Sequence, residues 1–325
     1  MIVNNILITI IVPNYNKSKY LEETINSIKS QNSNNWECII VDDKSTDESI
    51  KTIKKTIKND DRFLFISQKI NRGASYCRNL GIKYSQGNYI IFLDSDDVIS
   101  GDFIFNRSKI FKLNLYIDFA VFPMGTFYEN LGDNNFIWNN FKGNHLNRFL
   151  SHDLPWALCS VIWKKESLNR LGGFNEDFVR LQDVELHTKA LLNNFAYTTF
   201  SNFIPDCFYR IDNNRINNYL QHCLNDVNGK LSYIDFFTTK ILKKVNRKFL
   251  RGTYFECYSL PFNLYYFNKI SKSDLLIILS SIATPNFKYL FNFSSDKIIN
   301  LYCFLRINRI YFKGMDRIFK YLFLI

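Results

Sequence analysis

Three carboxylates crowd into four positions, Asp94, Asp96 and Asp97, in the stretch NYIIFLDSDDVISGDF over residues 88–103. Carboxylates this close repel one another unless a cation sits among them. Oxygen donors without His or Cys suit a hard cation such as Mg2+ or Mn2+. With so few protein ligands the ion keeps waters or takes oxygens from a bound molecule. A diphosphate fits that role, because a divalent cation bridging its oxygens neutralises charge on a leaving group. A solvated acidic turn ahead of a helix starting near Gly101 is the other reading of the same residues.

Two more polar clusters share this placement, VPNYN at 12–16 and VDDKSTD at 41–47. Each of the three follows an apolar, β-rich run: ILITIIV (6–12), WECIIVD (36–42) and YIIFL (89–93). RFLFIS (62–67) is a fourth such run. Between them, apolar residues repeat at helical spacing: Leu21, Ile25 and Ile28, then Ile50, Ile53 and Ile57, then Cys77, Leu80 and Tyr84. Near-continuous apolar strands separated by amphipathic helices specify a parallel sheet covered on both faces. Ligands of such sheets bind beyond the carboxyl ends of the strands, where all three clusters fall. Ser45 or Thr46 is placed to cap the helix that follows the second strand.

IDFAVFP, LCSVIW and FAYTTFSNF, between 117 and 210, read as further strands, and a helix starts near Leu181. After about Asp212 the chain reads as helical, aromatic and basic. The expected organisation is an α/β domain over residues 1–212 followed by a smaller helical module over 213–325. The net charge of +11 follows the same division. Residues 1–210 carry 24 Lys and Arg against 23 Asp and Glu, whereas residues 211–325 carry 17 against 7. Seven cysteines stand singly with no C-x-x-C pair, which favours reduced thiols in a cytosolic setting. No targeting segment is visible, and LLIILSSIA (275–283), stopped by Thr284-Pro285, is too short to cross a bilayer. A cytoplasmic protein, not integral to the membrane, is expected.

The segments TIIVPNYNKSKYLEETINSIKSQ, ECIIVDDKSTDES, NRGASYCRNLGIKYSQGNYIIFLDSDD and LGGFNEDFVRLQDVEL together resemble glycosyltransferase family 2 in order and spacing. The resemblance covers about the first 210 residues and implies the nucleotide-sugar-binding GT-A fold. It implies that Pro13 and Tyr15 lie along the nucleoside base and that Asp43 recognises uracil. An ionised Asp suits that task, since it accepts from the base N3–H. By the same resemblance Asn71, Gly73 and Arg78 belong to the donor site, with Arg78 near the diphosphate or structural beneath it. Asp94 and Asp96 would flank the ribose and hold Mn2+ or Mg2+, Asp96 being the direct ligand. Asp42 ties down its turn. Asp183 matches the family's catalytic Asp, the base that takes the acceptor proton during in-line displacement at the anomeric carbon. A helix N-terminal carboxylate stabilised by the dipole is the plainer account of Asp183.

Two residues depart from the family pattern. Gln182 stands where Glu usually precedes the catalytic Asp, which bears on acceptor contacts more than on the base. Lys44 stands where Gly is common. His187, four residues after Asp183, is a candidate for the metal or acceptor site beside a structural role. Trp156 is a candidate platform for an acceptor sugar or a core residue.

Near the C-terminus Arg306, Arg309, Lys313, Arg317 and Lys320 step by three and four, a basic stripe on a helix whose other side is apolar. Such a helix lies on an anionic membrane or packs its apolar side inward with the cations in solvent. No nucleic-acid-reading motif accompanies the charge. The expected activity is metal-dependent, inverting transfer from a UDP-sugar to a glycan or lipid-linked glycan in bacterial surface polysaccharide synthesis. A nucleotidyltransferase or a non-catalytic nucleotide-sugar-binding or membrane-scaffold protein are the competing classes. The first would want a Gly-rich phosphate loop, and VPNYNKSKY contains no glycine.

Overall fold

The structure, a computed structural model, describes residues 7–113, 116–212, 218–240, 247–282 and 293–324. The chain opens with β1 (Ile8–Asn14), α1 (Ser18–Lys29), β2 (Trp36–Asp42), α2 (Ser49–Thr56), β3 (Phe63–Ser67), α3 (Ala74–Tyr84) and β4 (Tyr89–Phe92). It continues through β5 (Val98–Ile99), α4 (Phe103–Leu113), β6 (Phe119–Val121), β7 (Met124–Phe127), β8 (Ile137–Trp138) and α5 (His145–Leu150). Then come β9 (Val161–Lys164), α6 (Lys165–Leu171), α7 (Gln182–Leu192), β10 (Tyr197–Thr199) and β11 (Cys207–Arg210). Among the described residues five helices follow: α8 (Tyr219–Lys240), α9 (Arg247–Tyr266), α10 (Lys272–Ile282), α11 (Phe293–Ile307) and α12 (Met315–Leu324).

Seven strands form one sheet in the order β10-β6-β9-β4-β1-β2-β3, and only β9 runs antiparallel to its neighbours. Every residue of β1 is buried, as a central strand covered on both faces requires. The β1–β2 register sets Asn14 opposite Asp42, so the two strands end side by side. α1 buries Leu21, Ile25 and Ile28, the residues whose spacing marks it. α3 differs from its expected stripe: Cys77 is buried, Tyr84 is half exposed, and Arg78, Gly81 and Ile82 face inward instead. Gly81 explains the change. A Cβ there would lie 2.4 Å from Cγ2 of Ile11, so only glycine lets α3 approach β1 this closely.

A second sheet of four short strands, in the order β5-β11-β7-β8, has no counterpart in the sequence expectations. Its strands are two to four residues long, too short to show a period. α2 is preceded by Glu48 without a side-chain cap, and Ser45 bonds back to Asp42 in place of capping.

The described chain separates into two compact units, Met1–Lys142 with Pro155–Asp212, and Gly143–Leu154 with Asn213–Ile325. Residues 143–154, placed by the sequence in the first domain, thus belong to the second unit, where α5 packs on α9. Thr253 Oγ1 donates to the Leu150 carbonyl there at 2.8 Å. The sequence boundary itself, at 213, and the Thr284-Pro285 stop lie outside the described residues. The core of the second unit combines aromatic and aliphatic residues of α8 to α12, among them Val227, Phe255, Ile278, Tyr302 and Phe319.

Candidate active site

The loops after β1 and β2 are knitted by side chains. Asp42 is fully buried and accepts from Asn14 Nδ2 at 2.8 Å and from the Ser45 hydroxyl at 2.5 Å, which ties down its turn. Asn16 Oδ1 accepts from the Thr46 amide at 2.7 Å. Asp43 uses both carboxylate oxygens locally, accepting from the amides of Arg72 at 2.8 Å and Gly73 at 2.7 Å. Asn71 closes the contact by donating to the Asp43 carbonyl at 3.0 Å. Gly73 has φ +87° with open space around it, so conformation, not crowding, selects glycine there. Lys44, the departure from Gly, sits at φ +64°, a left-handed position that explains the preference. Pro13 is buried beside this loop, and Tyr15 leaves half of its ring exposed.

Across the strand ends, the acidic turn meets cations from three other elements. Arg78 of α3, almost fully buried, donates from Nη2 to Asp94 at 2.7 Å. Its Nε and Nη1 are buried and find no protein acceptor. Lys17, the residue preceding α1, forms an ion pair with Asp96. Arg210 of β11 donates from Nε to the Asp96 carbonyl at 2.9 Å, from its amide to Asp97 at 3.0 Å, and from Nη2 to Glu23. Burial, with Asp94 and Asp96 alongside, pushes the Asp97 carboxyl well above the ordinary range.

Asp183 is the second residue of α7. Burial pushes its carboxyl up, the Arg78 guanidinium pulls it back, and Asp94 adds to the rise. Those influences tie Asp183 electrostatically to the Arg78–Asp94 pair. Leu181 just before it adopts φ +60°, an unfavourable backbone for a bulky side chain, and Gln182 folds back to donate to the Val179 carbonyl at 2.8 Å. The raised carboxyl, a buried guanidinium with idle donors and an acidic turn make a site able to hold an anionic phosphate group and accept a proton close by.

A divalent cation passes a test against these side chains. Among the described residues no three His, Cys, Asp or Glu come together as a protein cage. Asp94 and Asp96 remain as two hard carboxylates on one strand end, with Asp97 turned onto the Arg210 amide. That is the partial donor set Mg2+ or Mn2+ uses when phosphate oxygens complete its sphere.

Two candidates do not reach the site. His187 is fully buried, stacked on Trp163 with centroids 5.8 Å apart, and desolvation lowers its pKa to about 3. Trp156 is buried against His187 and Phe119, so its ring forms core and offers no platform for a sugar. The basic stripe is also corrected. α11 ends at Ile307 and α12 starts at Met315, with Arg309 at φ +59° and Gly314 at φ +89° in the break. Arg306 is buried and bonds Asn263, and Lys320 pairs with Glu256 at 2.6 Å. Arg309 donates to Asn268 at 2.7 Å, and Lys313 and Arg317 are exposed.

Lys17, Glu23 and Arg210 escaped the sequence reading. Lys17 stood inside the quoted VPNYNKSKY and looked like any loop lysine. Arg210 lies 113 residues from Asp97, and nothing local in CFYR signals the contact.

Residues 9–156 match the family model described as Glycosyl transferase family 2. An uncharacterized glycosyltransferase of Haemophilus influenzae is 45% identical over 96 residues, 30% of this chain and 38% of its own length. One from Methanocaldococcus jannaschii is 25% identical over 285 residues, 86% of this chain and 90% of that one. The Bacillus subtilis glycosyltransferase TuaG, assigned to teichuronic acid biosynthesis, is 37% identical over 117 residues, 34% of this chain and 46% of its own length. The chain thus spans less than half of the Haemophilus and Bacillus relatives. Among solved structures, S. aureus TarS 1–349 in complex with UDP-GlcNAc superposes with TM-score 0.63 at 18% identity, covering 94% of this chain and 89% of that one. The mannosyltransferase PcManGT of Pyrobaculum calidifontis, in complex with GDP-Man and Mn2+, gives TM-score 0.54 at 18% identity over 98% of this chain and 84% of that one. At these identities the likeness shows the fold, the expected GT-A arrangement with a helical C-terminal part.

Proposed function

From a chain whose residues 9–156 match the family 2 glycosyltransferase model, we propose metal-dependent transfer of a sugar from a UDP-sugar to an acceptor hydroxyl, with inversion. The observation that carries the reading is the buried Arg78 guanidinium, paired with Asp94 at the strand ends with Nε and Nη1 left over, and beside it Asp183 at the start of α7, whose carboxyl is pushed up by burial and feels both charges. In the step, the acceptor oxygen bonds the anomeric carbon while the bond from that carbon to the diphosphate breaks. The electron pair leaves with the diphosphate, and Asp183 takes the hydroxyl proton. Arg78 offers its idle Nε and Nη1 donors to phosphate oxygens, a charge-assisted bond that strengthens as charge develops. Asp94 and Asp96 would hold the Mn2+ or Mg2+, which when bound neutralises the leaving diphosphate.

Support for UDP comes from Asp43, whose carboxylate is fixed by two amides and retains lone pairs for a base N–H. TarS, the higher-scoring of the two folds, was solved with UDP-GlcNAc. A surface-polysaccharide acceptor is supported by the role assigned to TuaG. The second unit would bring the chain to an anionic membrane, through Ile310, Tyr311 and Phe312 exposed between Arg309 and Lys313.

The test is UDP release from a panel of UDP-sugars with Mn2+, with and without EDTA, beside Asp183→Asn. Release from one donor, abolished by EDTA, is expected. Asp183→Asn should bind UDP normally and lose about 10²- to 10⁴-fold in transfer. Wild-type transfer by that variant would remove Asp183 as the base.

A further inference from the structure

One contact at the strand ends has no part in the proposed step: the ion pair between Lys17 and Asp96. The pair is shielded, with about a fifth of the Lys17 side chain and under a tenth of the Asp96 side chain exposed. Its two residues are 79 positions apart and come from separate loops. Lys17 is not a loose surface lysine. Its amide donates to the Ser49 hydroxyl at 3.1 Å, and its carbonyl accepts from the amides of Tyr20 at 3.0 Å and Leu21 at 3.1 Å at the start of α1. The backbone is thus fixed at the β1–α1 corner, and the flexible stem carries the ammonium across to the acidic turn. Asp96 is held from behind, by Arg210 on its carbonyl at 2.9 Å.

An ammonium and a divalent cation on one carboxylate repel each other, and both take the same lone pairs. Resting on the metal-dependent reading above, we propose that Lys17 is a resident counter-cation of Asp96 that a divalent ion displaces on entering. Without an anionic donor, the displaced ammonium has lost its partner, so metal binding alone is weakened. With a diphosphate present, both cations find oxygens, and metal and donor load together. Arg78 leaves Asp94 paired in the same way, but a guanidinium fixed in a buried helix lacks the four-carbon stem that lets Lys17 move aside.

The test measures Mn2+ binding directly, by the loss of free-ion electron paramagnetic resonance signal, on wild type, Lys17→Met, Lys17→Gln and Asp96→Asn, first without nucleotide and then with UDP. Lys17→Gln keeps a hydrogen-bond donor without charge and serves if Lys17→Met misfolds, as read by thermal melting. Removing the ammonium should tighten Mn2+ binding about fivefold, the upper end of what an exposed ion pair contributes, and Asp96→Asn should abolish it. Binding seen only in the Lys17 variants is the same result at its limit. Equal or weaker binding by both Lys17 variants overturns the role of Lys17 and leaves the metal site standing. No Mn2+ binding by any protein, with or without UDP, sinks the metal-dependent reading itself and this inference with it.

Discussion

As the proposed base, Asp183 has to be ionised to accept a proton, and its surroundings resist ionisation. Its carboxyl is raised from the usual 3.8 chiefly by burial, with Arg78 opposing. A base with a raised pKa is protonated, and idle, over a wider acid range. Transfer at saturating donor should therefore fall as pH drops through a value above 3.8, and recover fully above it. Moving the Arg78 charge away, as in Arg78→Met, should push the acid limb higher still, because the opposing charge is gone. A limb at or below 3.8 in the wild type would contradict the raised carboxyl of Asp183. The residues of this kind were legible in the sequence because each stands at the end of an element, Asp42, Asp43, Asp94 and Asp96 where a strand ends and Asp183 where α7 starts, and carries a family letter. Asp42, Asp43, Asp94, Asp96 and Asp183 occupy the ends the pattern assigned them. Lys17 and Arg210 were illegible for the complementary reason. Their contacts join loops 79 and 113 residues apart, and their letters match the solvated lysines and arginines around them. His187 misled because helical spacing puts it near Asp183 on α7, while its ring stacks on Trp163 in the core, and Trp156 misled because an aromatic ring suits a sugar face, while this one packs on Phe119 and His187.

At the scale of elements, the site depends on how closely α3 lies on β1. Gly81 makes that approach, and Arg78, three residues earlier on the same helix, is held against Asp94 by it. Gly81→Ala places a methyl 2.4 Å from Ile11, a branched side chain in a fully buried strand with no free direction to yield. The helix must lift or Ile11 must leave its rotamer, at a cost of about 1–3 kcal/mol. Urea denaturation should show that loss. Isothermal titration with UDP should show weaker binding, since Arg78 moves with the helix. A destabilised variant with unchanged UDP affinity would separate the packing of α3 from the donor site. Elements with long apolar runs or clear helical spacing, β1, β2, α1 and α7, were readable for the physical reason that burial on one or two faces leaves a period. The four-stranded sheet was not, because β5 and β8 have two residues each and are fixed by pairing with distant strands. The break between α11 and α12 had one visible sign, Gly314, whose φ of +89° ends what the charge spacing alone joined into a single helix.

At the scale of the whole molecule, the charge asymmetry has survived but changed its meaning. Residues 211–325 hold 17 basic against 7 acidic side chains, yet of the five stripe cations Arg306 is buried in the second unit, Arg309 donates to Asn268, Lys320 pairs with Glu256, and Lys313 and Arg317 are exposed. No helix among the described residues is long and apolar enough to cross a membrane. What the unit exposes instead is apolar: Phe304 on α11, Ile310, Tyr311 and Phe312 in the break, and Ile318, Tyr321 and Leu322 on α12. Exposed aromatic and aliphatic side chains flanked by cations suit the headgroup region of an anionic bilayer, where apolar insertion and charge attraction add. The two contributions respond differently to experiment. Co-sedimentation with vesicles of phosphatidylglycerol and phosphatidylcholine should fall several-fold for the double variant Ile310→Asp, Phe312→Asp, at low and high salt alike. Lys313→Ala, Arg317→Ala should lose binding mainly at low salt, since only the electrostatic part is screened. Lys320→Ala should bind as wild type does, because that ammonium is committed to Glu256 at 2.6 Å. If the aspartate variant sediments as well as the wild type, the exposed aromatic turn has another use and the membrane reading of the second unit falls.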